Sequence, residues 1–141
     1  MNADDLKKRT KQFALRILKI VAALPNTIQG RAIGGQLVRS GTSVGSNYRA
    51  SCRARSKAEF IAKLGIVEEE ADESAFWLEL IIEGGLLKKE LVKPLLDENE
   101  RVSKDHGAVA DLRGCRFNTQ IGNWQSEIGN DLCLNTKKVS F

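Results

Sequence analysis

Three sets of side chains in this sequence have types and spacings that could do chemistry, and the first is a serine between two glycines. Residues 41–45 read Gly-Thr-Ser-Val-Gly, which matches the nucleophile elbow of serine hydrolases. That chemistry needs a sharp strand-to-helix turn that exposes Ser43 to a histidine base. Val44 and Tyr48 instead continue a helical apolar stripe through the motif. We therefore interpret both glycines as points of close helix packing, and we expect no enzyme and no catalytic residue.

The second set is an acidic run at residues 68–73. Glu69 and Glu73 lie one helical turn apart, as the carboxylates of di-iron bundles do, but such sites also require Glu-x-x-His motifs on two helices. His106 is the only histidine of the chain. The run is better explained as a solvated face or as an ionic contact with arginines. The sequence also has no Gly-rich nucleotide loop, so we expect neither a metal nor a cofactor.

The third set is basic and gives the strongest indication of function. Four residues share one face of the predicted first helix, and four arginines fall within an arc of about a quarter turn on the second. Arginine binds phosphate bidentately and lysine supplies point charge, while the scarcity of aromatic neighbours favours backbone contacts over base stacking. The residues predicted to bind RNA or DNA are Lys8, Lys11, Arg16, Lys19, Arg31, Arg39, Arg49 and Arg53.

Two alternatives to nucleic-acid binding stay open for this basic set. The arginines could pair with the acidic third helix or with a neighbouring subunit, which would cancel their charge. The first helix could also lie on an acidic membrane surface, but the bundle core needs its apolar face, so we rank this last and expect no membrane partner.

The elements that carry these residues are predicted to be helices. Apolar residues recur at helical spacing from Leu6 to Leu24, where Pro25 ends the first helix. The second covers about residues 27–55, with either close packing or a break at its glycines. A capping box at residues 56–59 starts the third, and the fourth covers about residues 88–112. The predicted core consists of Phe13, Ile17, Val21, Leu37, Val44, Tyr48, Phe60, Leu64, Val67, Leu78 and Leu95.

Four helices with short connections, and no sustained period-two alternation, predict an all-α protein with an antiparallel up-and-down four-helix bundle. The third helix is apolar on two sides, and a small bundle covers only one of them, so we expect a homo-oligomer. Phe76, Trp77 and Leu80 are the predicted contact between subunits. We place the bundle domain at residues 1–113 and a C-terminal tail at residues 114–141.

Composition is consistent with this picture. The chain has 141 residues, enough for one core, with 28% charged residues and a net charge of +4. The charge is strongly basic over residues 1–55 and acidic over residues 56–112, and a basic half favours a polyanionic partner. The three cysteines show neither a disulfide framework nor a CxxC pattern. With no convincing signal peptide or membrane span, we expect a cytoplasmic protein.

Residues 35–49 read Gly-Gln-Leu-Val-Arg-Ser-Gly-Thr-Ser-Val-Gly-Ser-Asn-Tyr-Arg, and this stretch resembles the signature of the 23S rRNA intervening-sequence protein family. Further support comes from residues 60–64, 73–80 and 92–96, so that the likeness covers roughly residues 6–102. The resemblance implies a bacterial four-helix bundle that assembles as a ring-like homopentamer without enzymatic activity. A related branch is the accessory variability determinant of diversity-generating retroelements, which binds nucleic acid and a reverse transcriptase.

The sequence therefore leads to two hypotheses about function. In the first, the protein is a non-catalytic accessory factor that binds RNA or DNA through the basic face of its first two helices. In the second, it is an interaction scaffold whose partner is another protein, such as a reverse transcriptase, and the Trp77 region then matters more than Lys11.

Overall fold

The computed structural model describes residues 2–108, with side chains through residue 105, and this part of the chain holds four helices and no strand. The helices are α1 (Ala3–Ala22), α2 (Ile28–Ser51), α3 (Lys57–Glu83) and α4 (Lys89–Ala108). The predicted all-α class is confirmed. The predicted tail at residues 114–141 and the domain boundary at residue 113 lie outside the described residues.

The four helices pack in cyclic order. α2 lies beside α1 and α3, and α4 lies beside α3 and α1. The Cα atoms of α1 and α3, and those of α2 and α4, do not come within 8 Å of each other over residues 2–108, although the buried side chains of Ala3 and Phe60 pack together. Each helix therefore turns one stripe towards a common core and keeps an outer face. α1 and α3 occupy diagonal positions, which decides how their charges are distributed over the surface.

The ends of the helices follow from local hydrogen bonds. Asn2 and Asp5 form a full capping box at the start of α1, where each side chain accepts a bond from the other residue's backbone N–H. The predicted box at the start of α3 is only half correct. Ser56 Oγ accepts from the Glu59 N–H at 3.1 Å, but the Glu59 carboxylate accepts from the Arg55 N–H at 2.8 Å. The carboxylate thus reaches one residue beyond the cap.

The core closely follows the sequence pattern. All of the predicted core residues are buried except Val21 and Leu64, which are half-buried at its edge. α4 adds apolar residues that the prediction did not include, namely Val92, Leu96 and Val102. One continuous apolar cluster links all four helices, so the fold holds the outer faces in fixed relative positions.

Glycines allow α1 and α2 to approach closely. A Cβ atom on Gly41 would lie 2.7 Å from Ile17 Cγ1, and one on Gly45 would lie 3.4 Å from the Thr10 carbonyl oxygen. α2 also runs unbroken through Gly34 and Gly35, so the alternative of a broken second helix is wrong. The glycines of the predicted motif are therefore packing positions, as the sequence indicated.

Candidate nucleic-acid interface

The outer face of α1 carries cations because its inner face is committed to the core. Leu6, Phe13 and Ile17 are buried. The residues on the opposite side follow from a rotation of 100° per residue. Of the four predicted binding residues there, Lys8, Lys11 and Lys19 are exposed and Arg16 is half-buried. Within the described residues, none of these four forms an ion pair.

The outer face of α2 is also basic, because the helix contains Arg31, Arg39 and Arg49 and no acidic residue. Of these, Arg39 pairs with the acidic helix α3. Arg31 and Arg49 are exposed, as is Arg53 just beyond the helix end. Arg31 donates a hydrogen bond to Asn26 Oδ1 at 2.8 Å, which orients its guanidinium without neutralising it. Over the described part of the chain, no carboxylate lies within ion-pair distance of these three arginines. They are thus available to an anionic ligand.

Arg39 differs from the other predicted residues because it pairs with the acidic helix. Its guanidinium donates to Glu73 Oε1 and lies 3.7 Å from Glu70 Oε2. The hydrogen bond that Arg39 donates to Glu73 raises the pKa of Arg39. The same bond, with a second one donated by the Trp77 indole N–H, lowers the pKa of Glu73. At Arg39 the alternative of internal charge cancellation is therefore correct.

A second basic residue that is paired internally, Arg9, was not predicted. Its Nε donates to Glu98 Oε1 at 2.6 Å, and its Nη1 donates to Asp105. The Arg9 hydrogen bond is the main reason that the pKa of Glu98 is lowered. The signal in the sequence was the presence of Glu98 and Asp105 at core-facing heptad positions of α4, which demanded a cation from a facing helix. Arg9 ties α1 to α4 and is not part of the open basic face.

The acidic surface lies away from the basic face of α1. α3 carries eight acidic residues against two lysines, and Glu68, Glu69 and Asp72 of its acidic run are exposed. Since α1 and α3 occupy diagonal corners and their outer faces point apart, these carboxylates form no ion pair with the cations of α1 within the described part of the chain. The molecule therefore has a basic side formed by α1 and α2 and an acidic side formed by α3.

The predicted subunit contact combines exposed and half-buried groups. Phe76 is 51% exposed, while Trp77 and Leu80 are half-buried. The rings of Phe76 and Trp77 meet edge to face with centroids 5.0 Å apart, and Trp77 Nε1 donates to Glu73 Oε1 at 3.1 Å. Trp77 thereby fixes both the aromatic pair and the carboxylate that holds Arg39. The patch is ordered from within the chain and leaves the Phe76 ring open to a partner.

The serine motif does not have the geometry of a nucleophile elbow. Ser43 lies inside α2, and its Oγ donates to the Arg39 carbonyl at 2.7 Å. No group of three potential metal ligands occurs among the side chains that the structure describes. No helix in the same part of the chain is both long and apolar enough to cross a membrane. An open cleft of about 310 Å³ lies where α1 meets α2, with Arg31 and Gly34 in its wall.

Comparisons with known proteins agree with this helical architecture. A family model described as the 23S rRNA-intervening sequence protein matches residues 4–107. A solved structure of a protein of unknown function, from the S23 ribosomal protein family of Bacteroides thetaiotaomicron, is 33% identical with a TM-score of 0.70. The match covers 74% of this chain and 96% of that one. No curated protein matches the chain.

Proposed function

The chain belongs to the 23S rRNA-intervening sequence protein family, and within that fold we propose that it is a non-catalytic accessory protein that binds the phosphate backbone of RNA or DNA. The binding surface consists of the outer faces of α1 and α2. A single observation carries the proposal: of the eight predicted cations, only Arg39 is neutralised by an ion pair among the described residues. The others lie on the outer parts of α1 and α2, which are adjacent helices, and Arg16 also lies close enough to Glu98 of α4 to lower the pKa of that carboxyl.

The spacing of these cations favours binding to the phosphate backbone. They are spread over the length of two helices, so they can contact successive phosphates of an extended strand or duplex. Their neighbours include no exposed aromatic ring on which a base could stack, since the exposed ring of the described residues is Phe76 on α3. Backbone contacts fix position without reading sequence, and the preference among sequences is accordingly weak.

We further propose that the protein acts as an antiparallel up-and-down bundle within a ring-like homo-oligomer, expected to be a pentamer. The order of contacts along the helices supports the antiparallel part, because Gly34 lies against Val21 whereas Gly45 lies against Thr10. Assembly strengthens nucleic-acid binding because several weak basic surfaces then act on one ligand. Multivalency of this kind raises apparent affinity by about a hundredfold or more.

Fluorescence anisotropy with labelled single-stranded RNA and duplex DNA of unrelated sequences tests the proposal. Arg49→Gln removes a cation with no ion pair and is expected to weaken binding to every sequence and to lower the slope of log K against log salt by about 1. Arg39→Gln is the matched control, since it makes the same change in the same helix at a residue already held by Glu73. Equal effects of the two variants, or no binding by the wild type, would contradict the proposal.

A protein-binding scaffold is the second candidate, and the exposed Phe76 ring beside acidic residues favours it. In this case a basic, partly apolar protein surface, such as that of a reverse transcriptase, is the partner. Affinity capture with and without nuclease separates the two candidates. Partners that survive nuclease and are lost with Phe76→Ala support the scaffold. Partners lost with nuclease and with Arg49→Gln support direct nucleic-acid binding.

A further inference from the structure

The outer faces of α1 and α3 both expose large apolar side chains inside a charged surface. On α1, Leu15 and Leu18 are 42% and 45% exposed, and on α3 Phe76 is 51% exposed. Single exposed apolar residues are common, but on α1 the two leucines are three positions apart and form one patch inside a charged face, and on α3 the Phe76 ring is half exposed beside a run of acidic residues. Each face therefore has an apolar centre and a charged rim, as protein interfaces have.

The charges around these apolar centres have opposite signs. Lys8 and Lys11 precede Leu15 on α1, and Glu69 and Asp72 precede Phe76 on α3. All four charged residues are exposed and form no ion pair within residues 2–105. Complementary potentials of this kind steer two surfaces together and fix their register.

We propose that the outer face of α1 in one copy packs against the outer face of α3 in the next copy. The inference rests on the proposed homo-oligomer and identifies the two surfaces that build it. Lys8, Lys11 and Leu15 are separated by three and four positions, and Glu69, Asp72 and Phe76 have the same separations. When the two helices lie parallel, each cation therefore falls level with a carboxylate and Leu15 falls level with Phe76.

The diagonal arrangement makes this contact head-to-tail. Within one chain α1 and α3 occupy diagonal corners and face each other through the core, so their outer faces point apart and neither can satisfy the other internally. A contact between two different faces repeats from copy to copy and closes into a ring when the rotation allows it. Around an axis that runs along the bundle, every α1 meets a parallel α3, because alternate helices of an up-and-down bundle point the same way.

The contact divides the basic surface into two parts. Lys8 and Lys11 become subunit-contact residues in the assembled protein. Lys19 lies one turn beyond Leu15 and close to Lys8 around α1, so it borders the same contact. The exposed arginines of α2 form the nucleic-acid surface of the ring. Assembly and nucleic-acid binding are therefore separable by substitution.

A charge exchange measured by light scattering after size exclusion tests the contact on the full chain at fixed concentration. Lys11→Glu and Asp72→Lys, each alone, are expected to shift the mass towards the 15.6 kDa of a single chain. The double variant restores the pair with reversed signs and is expected to recover the wild-type mass. A double variant no better than either single one, a single variant that leaves assembly intact, or a monomeric wild type would overturn the proposal.

Three further variants keep the result specific. Leu91→Ala changes an exposed leucine on α4 outside both faces and is expected to leave the mass unchanged, whereas Phe76→Ala lowers it. Arg49→Gln is expected to reduce nucleic-acid binding while leaving the assembly intact. If the charge exchange succeeds and no nucleic acid binds, the contact stands and the proposed function fails. Circular dichroism of each variant separates loss of contact from loss of folding.

Discussion

Replacing Gly41 with alanine tests the interpretation of the glycine-serine motif as a packing site. A Cβ atom there would lie 2.7 Å from Ile17 Cγ1 and 3.1 Å from two further atoms of the same side chain. Ile17 is fully buried and β-branched, so it cannot swing away to make room. Gly35 provides a matched control in the same helix, because a Cβ on it would meet nothing within 4 Å.

The two substitutions change the free energy of unfolding through one effect that they share and one that applies to Gly41 alone. Alanine stabilises a helix interior by about 1 kcal/mol relative to glycine, and this gain applies to both positions. Overpacking costs about 1–3 kcal/mol and applies only to Gly41. Gly35→Ala is therefore expected to raise the free energy of unfolding by about 1 kcal/mol. The free energy of unfolding of the Gly41→Ala variant should be about 1–3 kcal/mol lower than that of the Gly35→Ala variant, because only Gly41→Ala overpacks the core.

Urea denaturation followed by circular dichroism, at one protein concentration for all variants, measures this difference. Fixed concentration matters because association contributes to apparent stability. Equal stability of the Gly41→Ala and Gly35→Ala variants would refute the reasoning. It would mean that α1 and α2 do not approach closely at Gly41, and the motif would then need another explanation.

Further expectations concern Arg9 and Ser43. Arg9→Met is expected to lower the free energy of unfolding by about 1–2 kcal/mol, since a half-buried charge-assisted bond to Glu98 is lost while the aliphatic packing is kept. Arg9 holds the pKa of Glu98 below its ordinary 4.5, so this stabilisation is present above that pH and is lost as the pH falls through the lowered value. As the pH is lowered, the free energy of unfolding should therefore fall less for the Arg9→Met variant than for the wild type. An equal fall in both proteins would contradict the assignment of the lowered Glu98 pKa to Arg9. A fluorophosphonate probe is expected to leave Ser43 unlabelled, and stoichiometric labelling measured by intact mass would revive the hydrolase interpretation. Ser43→Ala should change the free energy of unfolding by less than about 0.5 kcal/mol.

The helices and most of the core were predictable because helix formation and burial follow local periodicity. The spacing of Leu6, Phe13 and Ile17, which are seven and four residues apart, specifies a buried stripe without any knowledge of what covers it. Pro25 and the cap at Ser56 likewise act through neighbouring residues. Val21 and Leu64 lie at the edge of the core, where burial depends on the angle at which the helices cross, and periodicity alone does not specify that angle.

The charged site was less predictable because pairing depends on which helix lies opposite. Arg39 and Arg49 look alike in sequence, but only Arg39 faces the carboxylates of α3. Glu98 occupies a heptad position of α4 where an apolar residue would be expected, yet nothing local identifies its partner Arg9, which lies 89 residues away along the chain. Long-range ion pairs of this kind are set by packing and not by local pattern.

The salt dependence of nucleic-acid binding by the wild-type protein tests the central claim most directly. Anisotropy titrations with single-stranded RNA and duplex DNA over a range of potassium chloride concentrations give the slope of log K against log salt. If the unpaired cations of α1 and α2 bind phosphates, affinity falls steeply and similarly for unrelated sequences, with a slope near −0.7 to −0.9 for each phosphate contacted. Binding that is absent at low salt, or that does not change with salt, would contradict the claim.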